Sequence, residues 1–171
     1  MTSNFSYLKK YIPGGGGINS NCFGGVSKTE IENAEKKMQK KFPSELHKFY
    51  EEIGYGMLRS PHNTPPDYQF YSNNEILPPH IAVDYMMGVL EHSEDGRYSD
   101  YYMSESAYEL LQPGDLPFFE IGDSSSFMVM KLNSDNPNAV WFMGHEKIED
   151  SFEKFIWNLY YDDPSYYSRE W

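Results

Sequence analysis

The five histidines and 26 carboxylates are the side chains of this 171-residue chain best suited to acid–base or metal chemistry. His47, His62, His80, His92 and His145 are dispersed. His145-Glu146 lacks the second histidine three residues on that would set two imidazoles on one helix face around zinc. His80 and Asp84 stand one helical turn apart, yet a metal needs at least a third ligand. The carboxylate pairs Glu51/Glu52, Glu94/Asp95, Glu149/Asp150 and Asp162/Asp163 occupy adjacent positions. On a helix such neighbours point about 100° apart and rarely share a proton or a substrate. The histidines therefore read as structural or surface groups, no carboxylate pair is singled out for general acid–base catalysis, and no metal or cofactor is called for.

Patterns for a nucleophile or a phosphate fare no better. Gly122-Asp123-Ser124 has the form of the block that opens GDS-type esterases, but a serine needs a base to take its proton, and no Asp-x-x-His occurs in the chain. The block reads as a turn in which Asp123 and the serines bond their own backbone. Gly14–Gly17 is followed by Ile18-Asn19 rather than Lys-Ser/Thr, and no strand precedes it, so it reads as a loop and not a phosphate cradle.

Charge and composition bound the function further. The chain carries 14 basic and 26 acidic side chains, a formal net charge of −12. Residues 1–41 hold seven lysines and three glutamates, a net of +4, so the remainder carries −16. Such a balance argues against a surface for nucleic acid or anionic membrane, which needs clustered Lys and Arg, and it suits a partner that is itself basic. Aromatic residues make up 17%, too many for a disordered acidic tail. Cys22 is alone, so no intramolecular disulfide framework can form. Neither a signal-peptide run nor about 20 consecutive apolar residues is present, and the chain reads as soluble and cytoplasmic.

Periodicity supplies the elements. Ser27 and Glu30 have the spacing of a capping box, followed by an apolar stripe at Ile31, Ala34, Met38 and Phe42, so a helix opens there; Glu32, Lys36, Lys37 and Lys40 form its solvated face. Pro43 stops it, Ser44 caps a second helix with Leu46, Phe49, Tyr50 and Ile53 on one face, and Gly54 ends that one. Short strands are expected at 56–59 and 68–72, then a helix after Pro79 carrying Ala82, Tyr85, Met86, Val89 and Leu90. Ala107, Leu110 and Leu111 suit one or two helical turns. The strongest strand signals are 116–122, 127–132 and 139–143, apolar on both alternations, with a hairpin loop at 133–138. Asp150 and Glu153 cap a last helix with Phe152, Phe155, Ile156, Leu159 and Tyr160 on one side. Helices at both ends with strands between them give an α+β fold.

Residues 91–109 are acidic and tyrosine-rich, with six carboxylates against Arg97. Tyrosines are amphipathic anchors enriched at protein interfaces, and carboxylates around them steer a basic partner. The stretch suits either such an interface or a solvated loop with its tyrosines tucked onto the body.

The order of these motifs resembles the SUKH superfamily, the Smi/Knr-like domain. Its opening signature is matched by Ala34-Glu35, Phe42-Pro43, Phe49-Tyr50 and Gly54/Gly56 within residues 27–56. "YQFYSNNEIL" at 68–77, "LPFFEIGDSSSFMVMKL" at 116–132, "VWFMGHE" at 140–146 and "SFEKFIWNL" at 151–159 are similar to its later segments. The resemblance covers about residues 27–160. It divides the chain into an N-terminal extension with a Gly-rich loop (1–26), one SUKH-like domain (27–160) with an acidic excursion at 91–114, and a tail (161–171). It implies a mostly antiparallel sheet flanked by helices. It further implies a non-enzymatic immunity protein of bacterial type, which binds and neutralises a cognate toxin, often a nuclease, without touching nucleic acid or membrane itself. Partner-binding residues are then expected at Glu91, Glu94, Asp95, Asp100, Tyr101 and Tyr102. Eukaryotic relatives imply a rival reading, a scaffold or regulatory module for an endogenous protein. A hydrolase is the third, and it requires a cleft with a perturbed carboxylate or histidine.

Overall fold

A computed structural model describes residues 4–12, 22–58, 74–92, 101–121 and 125–161. The chain enters through a 3-10 helix, Ser6–Tyr11, and a short strand β1, Cys22–Gly24. β1 lies inside the stretch read from sequence as an uninterrupted Gly-rich loop. Its edge position, paired only through backbone with β2 (Tyr55–Met57), explains why three residues ending in glycine carry no strand signal.

Helix α1, Lys28–Met38, opens as expected. Ser27 Oγ accepts the Glu30 amide at 3.2 Å, and Glu30 Oε2 accepts the Ser27 amide at 2.7 Å. Ile31, Ala34 and Met38 are buried. The helix ends before Pro43: Gln39 adopts φ 56°, and Phe42 reaches the core from beyond the helix. Helix α2, Ser44–Glu52, has Pro43 and not Ser44 at its N-cap position. An orphan amide at that end, Glu45 N–H, donates instead to Asn138 Oδ1 at 3.1 Å, so a distant hairpin loop supplies the cap. Leu46, Phe49, Tyr50 and Ile53 are buried as one face, and Gly54 turns the chain with φ +106°. A Cβ at Gly54 would stand 1.9 Å from the Gly24 carbonyl oxygen, so only glycine permits β1 to approach.

The sheet continues through β3 (Glu75–Ile76), β6 (Asp115–Glu120), β7 (Phe127–Lys131), β8 (Val140–Phe142) and β9 (Glu146–Glu149). Among the described residues it has seven strands in the order β1-β2-β3-β6-β7-β8-β9, every neighbouring pair antiparallel. β6 is buried along its whole length, as is β7 up to Lys131, matching strands covered on both sides. Pro117 cannot donate to a ladder, and the register shifts between Pro117 and Phe119. The Phe118 carbonyl in that irregularity accepts the Leu77 amide at 2.9 Å. The strand expected at 68–72 and the turn at 122–124 lie outside the described residues.

Helix α3, Pro79–Met86, is shorter than its apolar spacing predicts. Gly88 turns with φ +84°, so Val89 and Leu90 leave the helix and lead into β4 (Glu91–His92). β4 pairs with β5 (Tyr101–Tyr102) as a separate two-stranded ribbon, and α4 (Glu105–Glu109) follows. The last helix, α5, spans Phe152–Tyr161 with the expected residues buried. Ser151, rather than Asp150 or Glu153, serves its first turn: Ser151 Oγ accepts the Lys154 amide at 3.3 Å, while Asp150 accepts the Lys147 ammonium at 2.7 Å. The Glu153 amide donates to Glu45 Oε2 at 2.8 Å, tying α5 to α2.

Aromatic rings fill the centre. Phe49 contacts Phe5, Phe23 and Phe152 edge-on at 5.0, 5.9 and 5.4 Å, and Phe118 contacts Phe152 and Phe155 at 5.4 and 6.0 Å. These rings join the N-terminal segment, α2, β6 and α5 into one core. No helix among the described residues is long and apolar enough to cross a membrane.

Candidate partner-binding face

The tyrosine-rich segment is built on the β4–β5 ribbon. Glu91 stands opposite Tyr102 and His92 opposite Tyr101, so three of the residues expected to bind a partner, Glu91, Tyr101 and Tyr102, share this two-stranded platform. Glu94, Asp95 and Asp100 lie outside the described residues. The two tyrosines have different surroundings. Tyr101 is half-buried and its hydroxyl donates to Glu75 Oε1 at 2.8 Å, fastening the ribbon to β3. Tyr102 is exposed, as is Glu91.

The root of the ribbon is polar. His92 Nε2 lies 3.0 Å from Asp84 Oδ2 on α3, and Asp84 Oδ1 accepts the Lys37 ammonium from α1. The rings of His80 and His92 are 6.1 Å apart. The structure thus brings His92, which sequence spacing does not connect, beside the His80/Asp84 pair. A lysine ammonium sits on the carboxylate, and among the described residues no group of three or more His, Cys, Asp or Glu side chains is arranged to hold a metal ion. Tyr85 Oη is buried beside the His92 ring with no hydrogen-bond partner among the described residues. Burial, and after it the carboxylates of Glu120 and Glu75, push the Tyr85 phenol well above its ordinary value.

The remaining residues weighed for chemistry have structural partners. His47 Nδ1 sits 2.9 Å from Glu35 Oε1, and Glu35 also accepts the Lys41 ammonium at 2.6 Å and the Phe42 amide at 3.1 Å. Burial by itself would raise the Glu35 pKa, but these bonds prevail and hold the carboxyl below its ordinary range. The family-like Ala34-Glu35 therefore has a physical role: Glu35 gathers the chain where α1 gives way to α2. Glu149 accepts Lys154 at 2.8 Å and Asn158 at 2.8 Å, whereas its neighbour Asp150 accepts Lys147. Adjacent carboxylates here serve different partners, Glu149 at the end of β9 and Asp150 in the bend after it.

Periodicity misses residues beside the ribbon. Met87, Val89 and Leu110 are as exposed as Tyr102, although Val89 and Leu110 fall at spacings that read as apolar helix faces. The one signal for them in the sequence is Gly88, which breaks the helical register between Met87 and Val89.

Comparison with known proteins places this arrangement. No solved structure matches the chain. The chain is 29% identical over 146 residues to a protein of Bacillus subtilis (strain 168) named "Immunity protein YxxD", a match covering 85% of this chain and 88% of that relative. The profile of the SMI1 / KNR4 family (SUKH-1) matches residues 25–158, taking in the capped α1, the Glu35 junction, the sheet from β2 to β9 and the first seven residues of α5, and the chain belongs to that family.

Proposed function

We propose that this protein is an immunity protein: it binds a cognate protein toxin in the cytoplasm of the cell that makes it and neutralises the toxin by occlusion, with no bond made or broken by its own side chains. The observation that carries the reading is the family match together with a relative of nearly equal span that bears the immunity name. The proposed toxin is basic and of nuclease type, because an enzyme that cuts nucleic acid presents cationic groups to phosphates and an acidic partner can occupy them. The acidic bulk of the chain, −16 beyond residue 41, would speed encounter, and tyrosines would supply desolvated contacts. Glu91, Glu94, Asp95, Asp100, Tyr101 and Tyr102 are the residues proposed to meet it.

Co-expression with the products of adjacent genes tests the function. Rescue from the toxicity of one neighbour, with co-purification of the two proteins, is expected. Failure to rescue from any toxic neighbour, together with binding of an endogenous non-toxic protein, would replace immunity with the scaffold reading. Charge reversal at Glu94, Asp95 and Asp100 is expected to weaken toxin binding and flatten its salt dependence. An affinity that stays constant from about 50 to 300 mM salt would remove electrostatic steering from the mechanism.

A further inference from the structure

Among the described residues five large hydrophobic side chains are 45% or more exposed, and four of them, Met87, Val89, Tyr102 and Leu110, fall between positions 87 and 110. The fold brings the segments that carry these four together. The Met103 amide donates to the Leu90 carbonyl at 2.9 Å, immediately beyond the Glu91–Tyr102 pair, so the segment after Gly88 runs antiparallel to the segment entering α4. The turn between Met87 and Val89 lies against α4 itself: a Cβ on Gly88 would stand 3.0 Å from the Tyr108 hydroxyl. Leu110 is the C-cap of that helix.

Among the described residues, the exposed charged side chains on the elements that carry the ledge are of one sign. Glu91, Glu105 and Glu109 are exposed beside the ledge. Residues 74–121 contain ten carboxylates and a single basic side chain, Arg97. An apolar centre with a charged rim is the anatomy of a docking surface, and contiguous exposed apolar groups are uncommon on a monomer without a partner. The uniform sign selects the occupant. A second copy of this chain docked on the same face would bring carboxylate against carboxylate, whereas a cationic protein surface gains both the rim attraction and the burial.

We infer that the ledge formed by Met87, Val89, Tyr102 and Leu110 is the face that receives the toxin, taking a basic surface with an apolar projection at its centre. This rests on the immunity function proposed above and extends the contact from the ribbon to the turn after α3 and to α4. The exposed apolar side chains are the anchors and the carboxylates the rim, so affinity depends on the former and the rate of encounter on the latter.

The test uses the full-length protein and the toxic neighbouring gene product that it relieves, with affinity measured by calorimetry and the fold checked by circular dichroism. The combined variant Met87→Ser, Val89→Ser, Tyr102→Ser, Leu110→Ser is expected to lose affinity on the order of 100-fold while keeping the wild-type spectrum. Leu110→Lys, a single exposed change that places like charge against a basic partner, is expected to lose about 10-fold, and it serves if the combined variant is poorly folded. Trp157→Ser, the fifth exposed hydrophobic, is the control and is expected to bind as wild type. Wild-type affinity in both ledge variants, or a loss confined to Trp157→Ser, would overturn the ledge while leaving the immunity function standing. A wild-type protein that binds no toxic neighbour would overturn the function and the ledge's partner together. Sedimentation in which the free protein is a dimer and the ledge variants are monomers would assign the surface to self-association instead.

Discussion

The helical side of the molecule, formed by α1, α2 and α5, and the segment from β3 to β6 handle charge and apolar surface in opposite ways. On the first, cations and carboxylates meet within or between neighbouring elements: Lys41 on Glu35, Lys48 near Glu153, and Lys154 of α5 on Glu149 of β9. Its one large exposed hydrophobic side chain among the described residues, Trp157, packs on Tyr161 at 4.2 Å and meets Tyr7 edge-on at 5.2 Å, so it joins α5 to the N-terminal 3-10 helix. On the second, the buried carboxylates borrow cations from elsewhere, Asp84 from Lys37 on α1 and Asp115 from Lys131 on β7 at 3.3 Å, while Glu91, Glu105 and Glu109 rim an exposed apolar ledge. An exposed hydrophobic side chain therefore means different things in the two places. Trp157 staples the chain to itself, whereas the ledge lies beside the exposed carboxylates of Glu91, Glu105 and Glu109.

Substitutions should separate the two sides by what they damage. The largest effect is expected at Phe152, fully buried and in ring contact with Phe5, Phe49 and Phe118. Phe152→Ala should cost about 4 kcal/mol of folding stability by chemical denaturation, since the cavity opens where four segments converge. A cost under about 1 kcal/mol would mean that this core is not shared between the termini and the sheet.

Glu35 is next. Glu35→Ala strands the Phe42 amide and the His47 ring in a buried junction, and should cost about 2 kcal/mol. Glu35→Gln keeps an acceptor but loses the charge, which gives a pH signature. Because the folded-state pKa of Glu35 lies below its unfolded value, the unfolded chain binds more protons in that window. The stabilisation is therefore complete above the ordinary carboxylate range and is lost as pH falls through the folded value. The difference between wild type and Glu35→Gln should be greatest near neutrality and shrink on acidification; a difference that grows in acid would reverse the assignment.

The same division decides what could be read without coordinates. The α1 cap, the α2 face and the buried strands β6 and β7 were legible because each is fixed by residues within one or two turns of each other, or by an apolar run that only a covered strand tolerates. The Asn138 cap on α2 was not, because its acceptor is 93 positions away. β1 and β9 are short edge strands, one ending in glycine and the other written Glu-Lys-Ile-Glu, and their pairing is imposed by the neighbouring strand. For the candidate face, composition pointed to the acidic tyrosine stretch. It could not distinguish Tyr101, held by Glu75, from exposed Tyr102, nor show that a turn at Gly88 would carry Met87 and Val89 to the surface.

A smaller effect is expected where the helical side is held by a cap. Ser27→Ala removes the acceptor of the Glu30 amide and the hydroxyl that bonds Glu30 Oε2, and should cost about 1 kcal/mol in thermal melts. It should leave toxin affinity unchanged, because Ser27 is not among the residues of the ledge or its rim.

The smallest effect on stability belongs to the ledge, and it sharpens the comparison most. Tyr102→Ser alters a side chain that is 45% exposed on a two-residue strand, and should change stability by no more than about 0.5 kcal/mol. If Tyr102 instead packed the ribbon onto the body as Tyr101 does, the same substitution would cost several times that amount, and its stability loss would track its binding loss. Tyr101→Phe supplies the counterpart: it removes only the hydroxyl that donates to Glu75, so it should lower stability by about 1 kcal/mol while leaving the anchor area of the ledge intact. A pair in which Tyr101→Phe weakens folding and Tyr102→Ser weakens only binding would place the boundary between scaffold and docking face between the Tyr101 hydroxyl and the Tyr102 side chain. The reverse pattern would move that boundary to the other face of the ribbon, since adjacent strand residues point to opposite sides.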